Sequence, residues 1–299
     1  MKPVKSLLLL TFAFLSTMMF AQKPIVINED SIAFNTSKYP GFSVAIPEVN
    51  YDRTLKEWTK ELQSGTKSKV VTENGDMSIF GAMIKTITPS PVNVYSKLLN
   101  KDSLVHLLVS IETKKDQYID RAHGDAEFTA AKTFLKNFAK KQYFDFVKDE
   151  LQVENKKLND LKGNLNSLQN EKSRMQKSIN SSNSTIKSEQ DNIVLQNTEL
   201  PKITGEIATQ NSQLTSMEEG AAKEEKASYI KELEKKKKKV LNDIESSENK
   251  ISKAQNAIND AQRDIPKNEG EQEVMRGKIA QQEAVVKYFE EKLNTVKSY

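Results

Sequence analysis

Catalytic or metal chemistry needs clustered nucleophiles, bases or ligands, and this chain offers few. His106 lies between Leu104 and Leu108 in an alternating stretch, the pattern of a half-buried strand residue satisfied by its neighbours. His123 heads the string His123-Gly124-Asp125-Ala126-Glu127, which has the material for three metal ligands. The same string reads as a helix start, with Asp125 as N-cap and Glu127 favoured by the helix dipole, and that reading is adopted. There is no cysteine, so thiolate metal sites, disulfides and lipid attachment through a lipobox are excluded. No Ser or Thr stands in a nucleophile-elbow context and no Gly-rich phosphate loop occurs. No catalytic, cofactor-binding or metal-binding residue is therefore assigned, and an enzyme is not expected.

Lys235 to Lys239 form a run of five lysines that could attract a polyanion. Glu224, Glu225, Glu232 and Glu234 adjoin it, and five consecutive residues circle a helix, so a solvated helix face is the simpler account. The single Trp58 stands at helical spacing from Leu55 and Leu62 and reads as core.

What must position these residues is mostly helix. From Phe144 to Met217, apolar residues recur alternately three and four apart, and a second run extends from Ile230 to Val296. The stripe includes Leu158, Leu161, Leu165, Leu168, Met175, Ile179, Ile186, Ile193, Ile207 and Leu214 in the first run. In the second it includes Ile230, Leu233, Val240, Ile244, Ile251, Ile258, Ile279, Val286 and Leu293. Such a seam closes only by supercoiling against another helix, so these residues are the expected association surface. Polar residues interrupt it at Glu154, Lys172, Ser182, Glu189, Gln196, Lys237, Ser247, Asn268 and Gln272, and the expected role is to fix register.

The stripe is duplicated with a 65-residue offset. Pro201-Lys202-Ile203-Thr204-Gly205-Glu206 recurs as Pro266-Lys267-Asn268-Glu269-Gly270-Glu271, and Ile179, Ser182, Ile186 and Gln190 match Ile244, Ser247, Ile251 and Gln255. The heptad phase slips between Met217 and Ile230, where Gly220 supplies the tip of an antiparallel hairpin. Folding there sets Gln190 against Gln255. Each proline removes a helical hydrogen bond and should kink its arm. The rival reading makes Leu200-Pro201 and Ile265-Pro266 true turns and gives a three-segment bundle.

Residues 23–123 carry the signs of a small sheet. Phe42, Val44 and Ile46 alternate up to Pro47, and Asp52 can cap a helix that Gly65 ends. Asn74-Gly75 joins Lys69–Thr72 to a strand over Ser78–Ile87 as a hairpin. Strands Val92–Leu98 and Leu104–Ile111 follow, with Ile25–Ile27 and Ile32–Phe34 as edge pairing. A helix from about Asp125 holds five of the chain's 12 phenylalanines within Phe128 to Phe146, enough to cover the sheet.

Met1 to Ala21 has the form of a secretory signal, with Lys2 and Lys5 before the apolar Ser6–Phe20 stretch and Met19-Phe20-Ala21 before Gln22. The apolar stretch is shorter than the roughly 20 residues of a spanning helix. No later segment is apolar enough to cross a bilayer. The net charge of +4 falls to +2 without Lys2 and Lys5, although 29% of residues are charged, which suits a solvated helical protein. The expected organisation is a signal peptide at 1–21, an α+β head at 22–146 and a coiled-coil hairpin at 147–299. The head is a small antiparallel sheet with two helices, and the hairpin is kinked at Pro201 and Pro266.

The signal ending Phe20-Ala21-Gln22, the Asn93-Val94-Tyr95 strand of the head and the long helical hairpin together resemble a group of exported envelope proteins of Gram-negative bacteria. No activity attaches to that group, so the resemblance implies location and architecture alone. A looser likeness is to periplasmic holdase chaperones, which have small β bodies with helical tentacles. The expected function is a non-enzymatic structural, scaffolding or protein-interaction role in the cell envelope, periplasmic or secreted, with a periplasmic holdase as the alternative. The expected partner is another protein and not nucleic acid; no cofactor is expected, and self-association is left open.

Overall fold

The computed structural model describes residues 25–34, 37–101, 104–122 and 124–299. The expected signal segment, the Asp102-Ser103 turn and His123 lie outside the described residues. The elements are β1 (Ile27–Phe34), β2 (Ser37–Pro47), α1 (Tyr51–Leu62), β3 (Val71–Glu73), β4 (Asp76–Ala82), β5 (Val92–Lys101), β6 (Leu104–Lys114), β7 (Gln117–Tyr118), α2 (Asp125–Thr215) and α3 (Ala221–Ser298). The fold is α+β, a small antiparallel sheet followed by a helical hairpin. Two compact units divide it, Met1–Asn155 with Ala284–Tyr299, and Lys156–Glu283.

In the first unit the sheet order is β1-β2-β6-β5-β4-β3, with β7 paired to β6. Asn74 and Gly75 both take positive φ, 49° and 85°, as a two-residue hairpin turn of this hand requires. Three sequence expectations are corrected here. Strand β4 stops at Ala82 and not at Ile87; Gly81, at φ 80°, lies in a register shift of its ladder with β5, and Ile84 and Ile87 still reach the core from a loop. The cap of α1 is Asn50, whose side chain accepts from the Arg53 N–H at 2.9 Å, leaving Asp52 in the first turn. Gly124, not Asp125, takes the N-cap position of α2, its carbonyl accepting from the Phe128 N–H at 3.2 Å, and Asp125 is the first helical residue.

One face of the sheet carries the core. Phe42, Val44 and Ile46 from β2, Leu107, Val109 and Ile111 from β6, and Val94 from β5 are each at most 1% exposed. Against them pack Trp58 and Leu62 of α1 and Phe128, Leu135, Phe138 and Tyr143 of α2. The last turns of α3 complete this layer: Val296 is fully buried, and Phe289, Leu293 and Tyr299 pack on the same core. The sequence placed those residues, with Val286 and Leu293, in the hairpin. Here Lys292 is 4% exposed, ion-paired to Glu48 and ringed by Tyr143, Tyr288 and Phe289 at 5.5–5.8 Å. Burial, then the neighbouring Glu48 charge, pushes the Tyr143 phenol up.

In the second unit α2 and α3 run antiparallel from the loop Ser216–Gly220, so the tip lies where the phase slip places it. Both helices pass through their prolines, which rules out the three-segment bundle. A helix-interior proline costs about 3 kcal/mol. Turning the chain at Pro201 would strip seam residues such as Ile203 of their cover, at about 1.5–3 kcal/mol for each large side chain. Pro201 and Pro266 also point outward, so the carbonyls they leave unbonded, those of Asn197 and Gln262, are on the solvent side.

Gly41 sits where a Cβ would lie 2.4 Å from the Val109 carbonyl oxygen and 2.7 Å from Ile32 Cδ1. Gly41→Ala should therefore destabilise the sheet by ~1–3 kcal/mol. The emission of Trp58, the chain's single tryptophan, followed through a urea titration, reads that loss.

Candidate functional site

The seam residues singled out from the sequence fall in both units, those from Leu158 to Ile279 in the second and Val286 and Leu293 in the first. Leu158, Ile230, Leu233, Val240, Ile258, Ile279 and Val286 are buried. Leu161, Leu165, Leu168, Met175, Ile179, Ile186, Ile193, Ile207, Leu214, Ile244, Ile251 and Leu293 are half-buried, as in a two-stranded seam whose edges stay wet. Alanines fill part of it, Ala254 and Ala261 being 8% and 7% exposed. Repeat offset places these alanines as the counterparts of Glu189 and Gln196, so one copy is small where the other is polar.

The polar seam positions are the most specific part of the arm. The Glu189 carboxylate, only 9% exposed, accepts from Ser247 Oγ at 2.8 Å, Lys250 Nζ at 2.9 Å and Asn192 Nδ2 at 3.4 Å. The Lys250 bond and then the Ser247 bond hold its pKa below the ordinary carboxylate range. Asn268 and Gln272, both 5% exposed, form a second knot: Gln272 Nε2 donates to Asn268 Oδ1 at 2.8 Å, and Asn268 Nδ2 donates to Glu171 at 3.2 Å. Lys172 pairs with Glu269 at 2.7 Å. Gln196 Oε1 is buried with no hydrogen-bond partner among the described residues. A slip of one heptad would strand these buried groups, so they select one register at some cost in stability.

Ion pairs mark the two flanks. Lys162–Glu283 at 2.9 Å follows the alignment that sets Gln190 opposite Gln255, four heptads along. The Glu199–Lys236 pair at 2.8 Å, together with a hydrogen bond that Tyr229 Oη donates to Glu206 at 2.5 Å, bridges the opposite flank. Lys236 of the lysine run is thus an intramolecular partner, and Lys237 is half-buried in the seam.

The head holds a polar site that the sequence reading missed. On the sheet face opposite the core, Phe34, Tyr39, Tyr95 and Tyr118 stack with centroids 5.0–6.5 Å apart, and exposed Phe80 meets Tyr95 edge-on. Under them Glu112 is 7% exposed and accepts from Asn93 Nδ2 at 2.8 Å, the Asp116 N–H at 2.9 Å and Tyr95 Oη at 3.2 Å. Burial pushes this carboxyl up, but the bonds from Asn93, Asp116 and Tyr95 outweigh it and leave it below its ordinary value. Tyr95 is pushed up to about 12 by burial and by the Glu112 charge. Asn93 and Tyr95 alternate in the strand the sequence singled out, but nothing local shows that Glu112 lies 19 residues on in the paired strand.

His106 is half-buried on this same face, between Ala45 and Leu99 in the neighbouring strands. Beside α2, an open groove of about 850 Å³ is lined by Met83, Ile84, Ala130, Phe134 and residues of the α1 end. Among the described residues no group of three or more His, Cys, Asp or Glu could hold a metal, and no helix is long and apolar enough to cross a membrane.

No family model matches the chain, and no curated protein matches it. Among solved structures it is similar to a coiled-coil segment of Smc from Pyrococcus yayanosii. The two are 20% identical, with a TM-score of 0.43, over 53% of this chain and 66% of that one, just under two thirds of its length.

Because the Glu112 carboxyl is more acidic in the folded head than in the unfolded chain, it contributes stability above the ordinary carboxylate pKa. That contribution is lost as pH falls through the lower, folded value. Thermal melts of the wild type from pH 7 to pH 3 should show this acid limb. Glu112→Gln should flatten it while lowering stability at neutral pH.

Proposed function

We propose that this chain is a non-enzymatic scaffolding or protein-interaction protein of the bacterial cell envelope, acting through its coiled-coil arm. The observation that carries the reading is the pinned seam of Lys156–Glu283. Its apolar stripe is consumed in pairing α2 with α3, and its buried polar knots are spent on register. What such residues build is a stiff two-helix element whose outer flanks are free to meet other chains. Export is supported by the basic and apolar pattern of residues 1–21.

The first unit supports the same reading. The head core is assembled from residues before the arm together with the last turns of α3. The chain therefore leaves and re-enters one folded body. A connector has both of its ends in such a body; a tentacle that shelters clients needs flexible apolar surface instead.

Photo-crosslinking residues placed singly at Tyr229, Val274 and Phe80, all exposed, test this in intact cells. A scaffold yields discrete adducts at particular levels of the arm. A holdase yields a smear at every position, and the purified chain would then suppress aggregation of an unrelated denatured protein at near-equimolar ratio. That second pattern would overturn the scaffolding reading.

A further inference from the structure

The head core needs little from α3. Among the described residues, its buried side chains are drawn from Ile25 to Val147, and α3 adds one to them, Val296. Phe289, Leu293 and Tyr299 pack on that core only partly buried. Phe289, Lys292, Leu293 and Val296 recur at helical spacing and share one face. Lys140 Nζ adds a tether, donating to the Lys297 carbonyl at 2.7 Å. An element held by few buried apolar contacts is the kind that opens locally while the rest stays folded.

What distinguishes this segment is the residue that receives it. Glu48 lies in the short connection between β2 and α1 at φ 61°, a left-handed backbone that glycine adopts freely and glutamate rarely. Its side chain is 45% exposed, yet it meets Lys292, whose side chain is 4% exposed and lies over the rings of Tyr143, Tyr288 and Phe289. The two ends of the pair are therefore unequal. Undocked, Glu48 is a solvated carboxylate; docked, it is the counter-charge of a sealed ammonium. Strain kept at a residue that makes such a contact points to a role in recognition. An apolar seat alone would hold an amphipathic helix in several rotations, and the charge admits the one that brings Lys292 to Glu48.

We propose that residues 286–299 form a releasable strap, closed on the head through Glu48 and Lys292, which opens while the head stays folded. The proposal does not depend on what the arm binds. With the strap closed, both segments that flank Lys156–Glu283 belong to the head; with it open, only α2 does. Opening also bares Glu48 and the Tyr143 ring, a seat that fits a helix carrying a lysine beside aromatic side chains.

Hydrogen–deuterium exchange of the full chain, read by mass spectrometry over 286–296 and over strands β2 and β6, tests it. In the wild type the strap amides should exchange about tenfold faster than those of the two strands, or more. Glu48→Ala leaves the Lys292 ammonium without its counter-charge and should speed the strap about tenfold or more. Adding Lys292→Met removes the stranded charge and keeps an apolar stem in its place, so the strap should return to the wild-type rate. Simple fraying of a helix end would respond to neither substitution. Strap amides that exchange only as slowly as β2 and β6 overturn the proposal, as do a strap indifferent to Glu48→Ala and one that Lys292→Met fails to restore.

Discussion

An antiparallel seam can close only if two stripes on the same chain stay in phase from the loop outward. In this protein Ser216–Gly220 sets where that phase begins, and every later pairing inherits it. Apolar contacts alone would tolerate a slip of seven residues, because leucine against isoleucine is much the same one heptad away. Glu189 with Ser247 and Lys250, and Asn268 with Gln272 and Glu171, would not tolerate it. Each would leave a polar group of the seam without its partner. Apolar burial supplies the adhesion, and the polar knots choose among alignments that adhesion leaves nearly equal.

The same logic operates at the arm's base. Lys292 is a charged side chain almost sealed from water, tolerable because Glu48 neutralises it and three aromatic rings offer their faces. Placing such a residue among Phe289, Leu293 and Val296 makes the docking of the last turns of α3 on the head specific, where apolar residues alone would make it only sticky. Glu112 does comparable work on the far side of the sheet, tying β5 to the β6–β7 turn from beneath a layer of tyrosines.

Duplication gives the arm a built-in comparison. Where counterparts agree, as at Ser182 and Ser247 or at the two prolines, the residue suits the hairpin generally. Where they differ, one copy has been adapted. Glu189 against Ala254 and Asn268 against Ile203 are adaptations inside the seam, where a polar group on one helix needs room or a partner on the other. Val194 against Asn259 is an adaptation on the outside, where the hairpin itself asks for nothing apolar.

Periodicity alone determined the helices, the seam residues and the tip of the hairpin, because a coiled coil encodes its contacts at a fixed short interval along the chain. The strands around Asn74-Gly75 were legible for a similar local reason, a turn type that few residue pairs can adopt. Tertiary structure alone decided the rest. The route past Pro201 and Pro266 depended on weighing a lost hydrogen bond against seam cover on a distant helix. The burial of Glu112 and Lys292 depended on partners far away in sequence, Asn93 for one and Glu48, 244 residues off, for the other. The return of the last turns of α3 to the head core depended on residues far earlier in the chain, which no local pattern records.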